Sequence, residues 1–166
     1  MISGEGWKHY FDDLMILATL CYIHHDGHTL MHHRVKRTDD IHAGKWNGLG
    51  GKFELAESPE QCVVREVSEE SGSEIKDPRL HGLLMFPGFK GNDWYVFVFT
   101  AEKFNGELIE NDEGYLKWIP DEELESLPLW PSDHIFLPWL QEEMFFSAKF
   151  IYEGEKYLRN EVSFYP

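Results

Sequence analysis

Runs of apolar residues and their spacing divide the chain into elements. From Leu14 to Ile23 almost every residue is apolar or β-branched, the pattern of a buried strand. His25-Asp26-Gly27-His28 has turn chemistry, so Thr29 to His33 should return as a hairpin partner. Arg34 to Gly44 is polar and reads as a loop, followed by the glycine-rich stretch Trp46 to Gly51. Ser58 to Ser71 predicts the best helix. Ser58 is its cap, Pro59 its first residue and Gly72 its stop, while Val63 and Val67 share one apolar face at i and i+4.

Beyond that helix, Leu80 to Pro87, Trp94 to Ala101 and Tyr115 to Ile119 read as strands. Asp121 to Ser126 predicts a short acidic helix, and Ser132 to Phe146 a longer one with Pro138 in its first turns or kinking it. Phe145 to Tyr152 and Tyr157 to Tyr165 flank Glu153-Gly154-Glu155 as a terminal hairpin. Strands mixed with two or three helices imply an α/β fold with helices covering a mixed sheet. No repeat or linker divides the 166 residues, so one domain over 1–166 is expected.

Composition narrows the function. The 30 Asp and Glu outnumber the 15 Lys and Arg, giving a formal charge of -15. Such a chain lacks the basic face that nonspecific nucleic-acid binding requires, so no stable nucleic-acid complex is expected. A small phosphorylated substrate is still compatible, because a divalent metal can bridge carboxylates and an anion. Cys21 and Cys62 form no CxxC pair and read as buried, reduced thiols of a cytoplasmic protein. The apolar run Leu14 to Ile23 is too short for a membrane span and follows Asp12 and Asp13, so neither a membrane nor a signal peptide is indicated. His24, His25, His28, His32 and His33 fit no zinc spacing and are expected on the hairpin surface.

The chemistry concentrates between Gly51 and Gly72. Glu66, Glu69 and Glu70 stand at i, i+3 and i+4, which places their carboxylates on one helix face. A solvated acidic face has that pattern too. Repulsion among the carboxylates favours hard cations, Mg²⁺ or Mn²⁺, as neutralising ligands. Arg65 stands where it can pair with Glu69 or reach back to Glu57.

This stretch resembles the signature of the Nudix family, Gly-x5-Glu-x7-Arg-Glu-U-x-Glu-Glu-x-Gly-U, with U bulky and aliphatic. Gly51, Glu57, Arg65, Glu66, Val67, Glu69, Glu70 and Gly72 match. Ser73 departs at the last U, where Ile75 is expected to supply the packing. The resemblance implies an α/β/α sandwich whose box forms a loop-helix-loop. It also implies a metal site of Glu66, Glu69, Glu70 and the Gly50 carbonyl, with Glu57 and Arg65 orienting the set. The implied reaction is water attack on a phosphoanhydride, with a glutamate as general base, Glu69 being favoured without the choice being settled.

The chain further resembles MutT-type 8-oxo-dGTP diphosphatases, sanitisers of oxidised purine nucleotides. Lys45 to Lys52, Asn111-Asp112-Glu113 and Leu129 to His134 carry that resemblance. It implies Asn47, Trp130 and Asp133 as base-reading residues and Glu113 as a further metal ligand. Ser132 stands where the family has a second Asp. Phe86 is a candidate for the base pocket and Lys52 for phosphate. Other readings keep the same box: hydrolysis of an ADP-ribose-like compound or an RNA 5′ end, or a noncatalytic nucleotide sensor. The partner expected is a small nucleotide, and the oligomeric state is left open.

Overall fold

The computed structural model describes residues 15–35, 39, 42–109, 112 and 114–166. Glu113 and Asn111, both expected near the site, lie outside the described residues, as does Leu14.

Strand β1 (Met15–His25) turns at Asp26 and Gly27 into β2 (His28–His33). β5 (Arg79–Phe89), β6 (Asn92–Ala101), β8 (Tyr115–Pro120), β9 (Phe145–Glu153) and β10 (Lys156–Tyr165) match the remaining expected strands to within a few residues. Three very short strands were not apparent from pattern: β3 (Trp46–Asn47), β4 (Glu74–Lys76) and β7 (Lys103–Asn105). Two or three residues are too few to show an alternation.

The main sheet runs β10-β9-β5-β6-β1-β2-β3, with β8 pairing the other edge of β2; β4 and β7 form a small separate sheet. β1 pairs β6 in parallel and β5 pairs β9 in parallel, whereas the other pairs are antiparallel. The sheet is therefore mixed, as expected.

Helix α1 (Pro59–Ser71) begins with a reciprocal cap. Ser58 Oγ accepts from the Gln61 N–H at 3.1 Å, and Gln61 Oε1 accepts from the Ser58 N–H at 2.9 Å. It ends at Gly72, whose φ is 74°. Its inner residues Val63 and Val67 join Cys21, Ile23, Leu30, Leu49, Phe99 and Ile75 in one core. Ile75 packs in that core as expected, and Ser73 is buried as well. The neighbouring residue Tyr22 points to the opposite sheet face, into a second core with Met31, Leu84, Val98, Phe136 and Phe146.

The expected helix over Ser132–Phe146 is corrected. An α-helix spans only Pro131–Phe136 (α2), the chain tightens to 3-10 geometry over Leu137–Gln141, and Phe145 and Phe146 already belong to β9. Pro138 has no N–H to continue the α ladder. Phe146 pairs with Gly82 across the parallel β5–β9 ladder, and its ring occupies the space where a Gly82 Cβ would stand. The segment Asp121–Ser126 is the expected short acidic helix, in 3-10 geometry. The histidines also divide. His25 is exposed, but strand alternation turns His32 inward until it is 1% exposed, which corrects the surface expectation for that residue. Cys21 and Cys62 are free and buried. Among the described residues, no helix is long and apolar enough to cross a membrane.

Candidate active site

One cleft of about 700 Å³ opens between the glycine-rich loop, α1, the β5–β6 end and the start of α2. The loop is pinned along β1: the Thr19 N–H donates to the Gly51 carbonyl at 2.8 Å, Cys21 and Leu49 exchange backbone bonds, and the Phe53 N–H donates to Leu17 at 3.0 Å. This close approach explains the glycines. A Cβ on Gly50 would stand 2.0 Å from the Thr19 carbonyl oxygen, and one on Gly51 would meet the Glu66 carboxylate at 2.4 Å. The loop therefore leaves a cradle for the Glu66 carboxylate that any side chain would fill.

At this acidic end Gly50, Gly51, Glu66 and Glu70 line the cleft. The Gly50 N–H donates to Glu70 Oε2 at 3.2 Å, and His32 Nδ1 stands 4.0 Å from the same oxygen. Arg65 ties the ensemble together. It is hydrogen-bonded to Glu57 through Nε and, at 2.9 Å, through Nη2; it also donates to Glu66 at 2.8 Å, Glu69 at 3.1 Å and the Lys52 carbonyl at 3.1 Å. Both pairings expected of Arg65 are thus present.

These contacts shape the charges. The Arg65 hydrogen bonds hold the Glu57 carboxyl down to about 2, and the same pairing raises the Arg65 guanidinium. Burial raises Glu66, opposed by its bond from Arg65. The three helix carboxylates do not share one environment. Glu66 and Glu70 face the cleft, while Glu69 is 58% exposed and turned to Arg65. Among the described residues, no three His, Cys, Asp or Glu side chains are gathered closely enough to hold a metal ion. The hard carboxylate oxygens of Glu66 and Glu70, lining the cleft beside Gly50 and Gly51, nevertheless fit a divalent cation.

The other end is aromatic. Phe86 and Phe89 from β5, Trp130 ahead of α2 and Tyr152 from β9 line it. Phe89 meets Trp130 and Tyr152 edge-on, each at 5.4 Å between centroids, and Trp130 meets Tyr152 edge-on at 5.9 Å. The Trp130 indole N–H donates to His42 at 2.9 Å, and the Lys45 ammonium stands 4.8 Å from the Trp130 ring centre. Polar groups interrupt the apolar wall, Asn47 and Asp133 among them. The Asn47 amide nitrogen is buried without a hydrogen-bond partner among the described residues, an arrangement that ordinarily calls for a ligand or water. The Asp133 carboxyl is pushed up to about 7 by burial, against the hydrogen bond from Ser132 and the charge of Lys45.

Of the expected site residues, Gly50, Glu66, Glu70, Asn47, Lys52, Phe86, Trp130 and Asp133 meet in this one cleft. Glu57, Arg65 and Glu69 stand behind or beside it. Phe89, Tyr152 and His42 also line it and were not foreseen from sequence. Phe89 and Tyr152 lie on strands whose aromatic residues read equally as core, and His42 lies in a loop without pattern.

The family model described as NUDIX domain matches residues 16–140. The oxidized purine nucleoside triphosphate hydrolase of Danio rerio is 31% identical over 113 residues, covering 68% of this chain and 72% of that protein. The CTP pyrophosphohydrolase of Escherichia coli is 31% identical over 119 residues, covering 72% of this chain and 86% of that protein. Among solved structures, the MutT protein of Bacillus halodurans superimposes with a TM-score of 0.79 at 28% identity, over 89% of this chain and 97% of that one.

Proposed function

The chain belongs to the Nudix family of hydrolases, and from that premise we propose that it cleaves purine nucleoside triphosphates, 8-oxo-dGTP or a close relative, to monophosphate and pyrophosphate. The observation that carries this reading is the cleft itself. One continuous space joins an acidic end suited to metal and phosphates with an aromatic end that holds the unpartnered Asn47 amide. A planar base stacked on Trp130 would bring its edge to Asn47 and Asp133, while its phosphates would reach Glu66 and Glu70.

Nudix hydrolases generally use divalent metal ions, and Mg²⁺ is the ion proposed here, with Mn²⁺ as substitute. Glu66, Glu70 and the Gly50 carbonyl would hold it, with Glu69 and Glu113 as the further ligands that the family resemblance implies. When bound it would polarise the phosphoryl oxygens and acidify the attacking water. Arg65 and Glu57 orient the carboxylates, and Lys52 at the mouth of the cleft offsets phosphate charge. The proton of the attacking water would pass to a glutamate of this helix; Glu66 and Glu70 face the cleft, and Glu69, favoured by the family resemblance, is 58% exposed beside Arg65. One domain acting on the cytoplasmic nucleotide pool completes the reading.

A Mg²⁺-dependent turnover panel tests it: 8-oxo-dGTP, dGTP, CTP and ADP-ribose, with products resolved. Preference for the oxidised purine with release of monophosphate and pyrophosphate is the expected result. Preference for CTP or ADP-ribose overturns the substrate assignment and leaves the hydrolase; no turnover of any compound returns the chain to the sensor reading.

A further inference from the structure

Three polar side chains at the aromatic end form one directed chain. The Tyr152 hydroxyl donates to Ser132 Oγ at 2.9 Å, and Ser132 Oγ donates to Asp133 Oδ1 at 3.3 Å. The Ser132 backbone N–H donates to the same Tyr152 oxygen at 2.9 Å. Ser132 is 2% exposed and Asp133 7% exposed, and all three residues line the cleft. Two of them open α2 and the third lies on β9, so the chain ties the helix to the terminal hairpin. The Tyr152 ring is wedged among Phe86, Phe89, Trp130 and Tyr157 at centroid distances of 6.2, 5.4, 5.9 and 5.9 Å.

The inventory of protons sets the direction. A serine hydroxyl has a single proton to give. Here it goes to Asp133, and the Tyr152 proton fills a lone pair on the same oxygen. Each bond polarises the next, so the series is stronger than its members taken singly. With Oδ1 engaged by Ser132, Asp133 has a restricted orientation and offers its remaining acceptor capacity to whatever stacks on Trp130.

We propose that Tyr152 and Ser132 are positioning residues that set base specificity, by locking Asp133 as a hydrogen-bond acceptor for a nucleobase edge that carries adjacent N–H donors. The proposal rests on the purine-nucleotide reading above. A guanine-type edge presents a ring N–H beside an exocyclic amino group. Adenine and cytosine present an amino group beside a bare ring nitrogen, whose lone pair would face the carboxylate. A carboxyl free to turn would discriminate less between these edges, since it can relax away from the mismatch.

The test measures binding of nucleoside monophosphates by calorimetry in the absence of divalent metal, where no turnover occurs. dGMP, dIMP, dAMP and dCMP are the probes. The parent protein is expected to favour dGMP, with dIMP intermediate. Tyr152→Phe should weaken dGMP binding about tenfold and leave dCMP unchanged, since a hydrogen bond in a charged series is lost while the stacking ring is kept. Ser132→Ala should do the same with the tyrosine ring untouched. The double variant should lose no more than the worse single one, the signature of one shared series. With triphosphates and Mg²⁺, the change should appear in KM and leave kcat unchanged. Equal weakening of all four monophosphates, or an unaltered ratio of dGMP to dCMP in both single variants, overturns the proposal while the purine reading stands. A parent with no preference among the bases overturns both.

Discussion

At its acidic end the cleft takes Glu66 and Glu70 from a single helix and Gly50 and Gly51 from the loop shortly before it. At its aromatic end it takes Phe86 and Phe89 from β5, Trp130 and Asp133 from the start of α2, and Tyr152 from β9. The first end is local in sequence and held by charge, with Arg65 bonded to three glutamates and a loop carbonyl. The second is assembled from distant segments and held by ring contacts and hydroxyls. A site of the first kind keeps its chemistry as long as one short segment is kept. A site of the second kind changes whenever any of its contributors changes.

That contrast predicts a division of labour, which three experiments can break. The largest effect is expected at the acidic end. Glu66→Gln should lower kcat roughly a thousandfold, the loss of several kcal/mol of transition-state stabilisation. Glu69→Gln, at a carboxylate 58% exposed beside Arg65, should cost roughly tenfold. Steady-state kinetics of the two variants decides this, and equal losses would remove the distinction between cleft-facing and outward carboxylates.

A smaller effect is expected at the aromatic end. Trp130→Ala should raise KM about ten- to a hundredfold through lost stacking, with kcat nearly intact. A fall in kcat matching that at Glu66 would mean that the two ends do not act separately.

The smallest effect concerns stability. Burial lifts Asp133 from 3.8 to about 7 in the folded protein. The folded state therefore holds its proton more tightly than the unfolded chain, and the native protein loses stability as pH rises from about 4 to about 7. Asp133→Asn removes the buried charge. Its melting temperature should exceed that of the parent by a few degrees at mildly alkaline pH, with the gain vanishing on acidification toward the unfolded value. Thermal melts across that range check it, and a gain that grew on acidification would contradict the sign.

The same contrast explains what could be read from sequence. The cap at Ser58, the proline after it, the stop at Gly72 and the spacing of Val63 and Val67 all act within α1 itself, so its limits were legible. The glutamates of that helix were legible for the same reason, although spacing alone did not reveal that Glu69 stands exposed outside the cleft lining. The segment after Trp130 was misread because its outcome is set elsewhere. Phe146 leaves the helical pattern to pair with Gly82, sixty-four positions earlier, and only the missing side chain at Gly82 makes room for its ring. His32 was misplaced because a cluster of histidines hides the strand alternation that buries one of them beside Glu70. Asn47, Trp130 and Asp133 were reached through family resemblance, since nothing in their local spacing marks a common cleft.

The terminal hairpin joins the rest of the sheet through one short parallel ladder, Gly82 to Met85 against Phe146 to Lys149. Tyr152 stands on that hairpin, beyond the residues that the NUDIX domain matches. For engineering this makes the hairpin a graftable segment, provided that the rings of Phe146 and Phe150, buried in one core with Tyr22 and Phe136, are kept. A hairpin grafted behind the same ladder would change the side chain that Tyr152 contributes to the cleft, while Glu66, Glu70 and the glycine-rich loop kept their places.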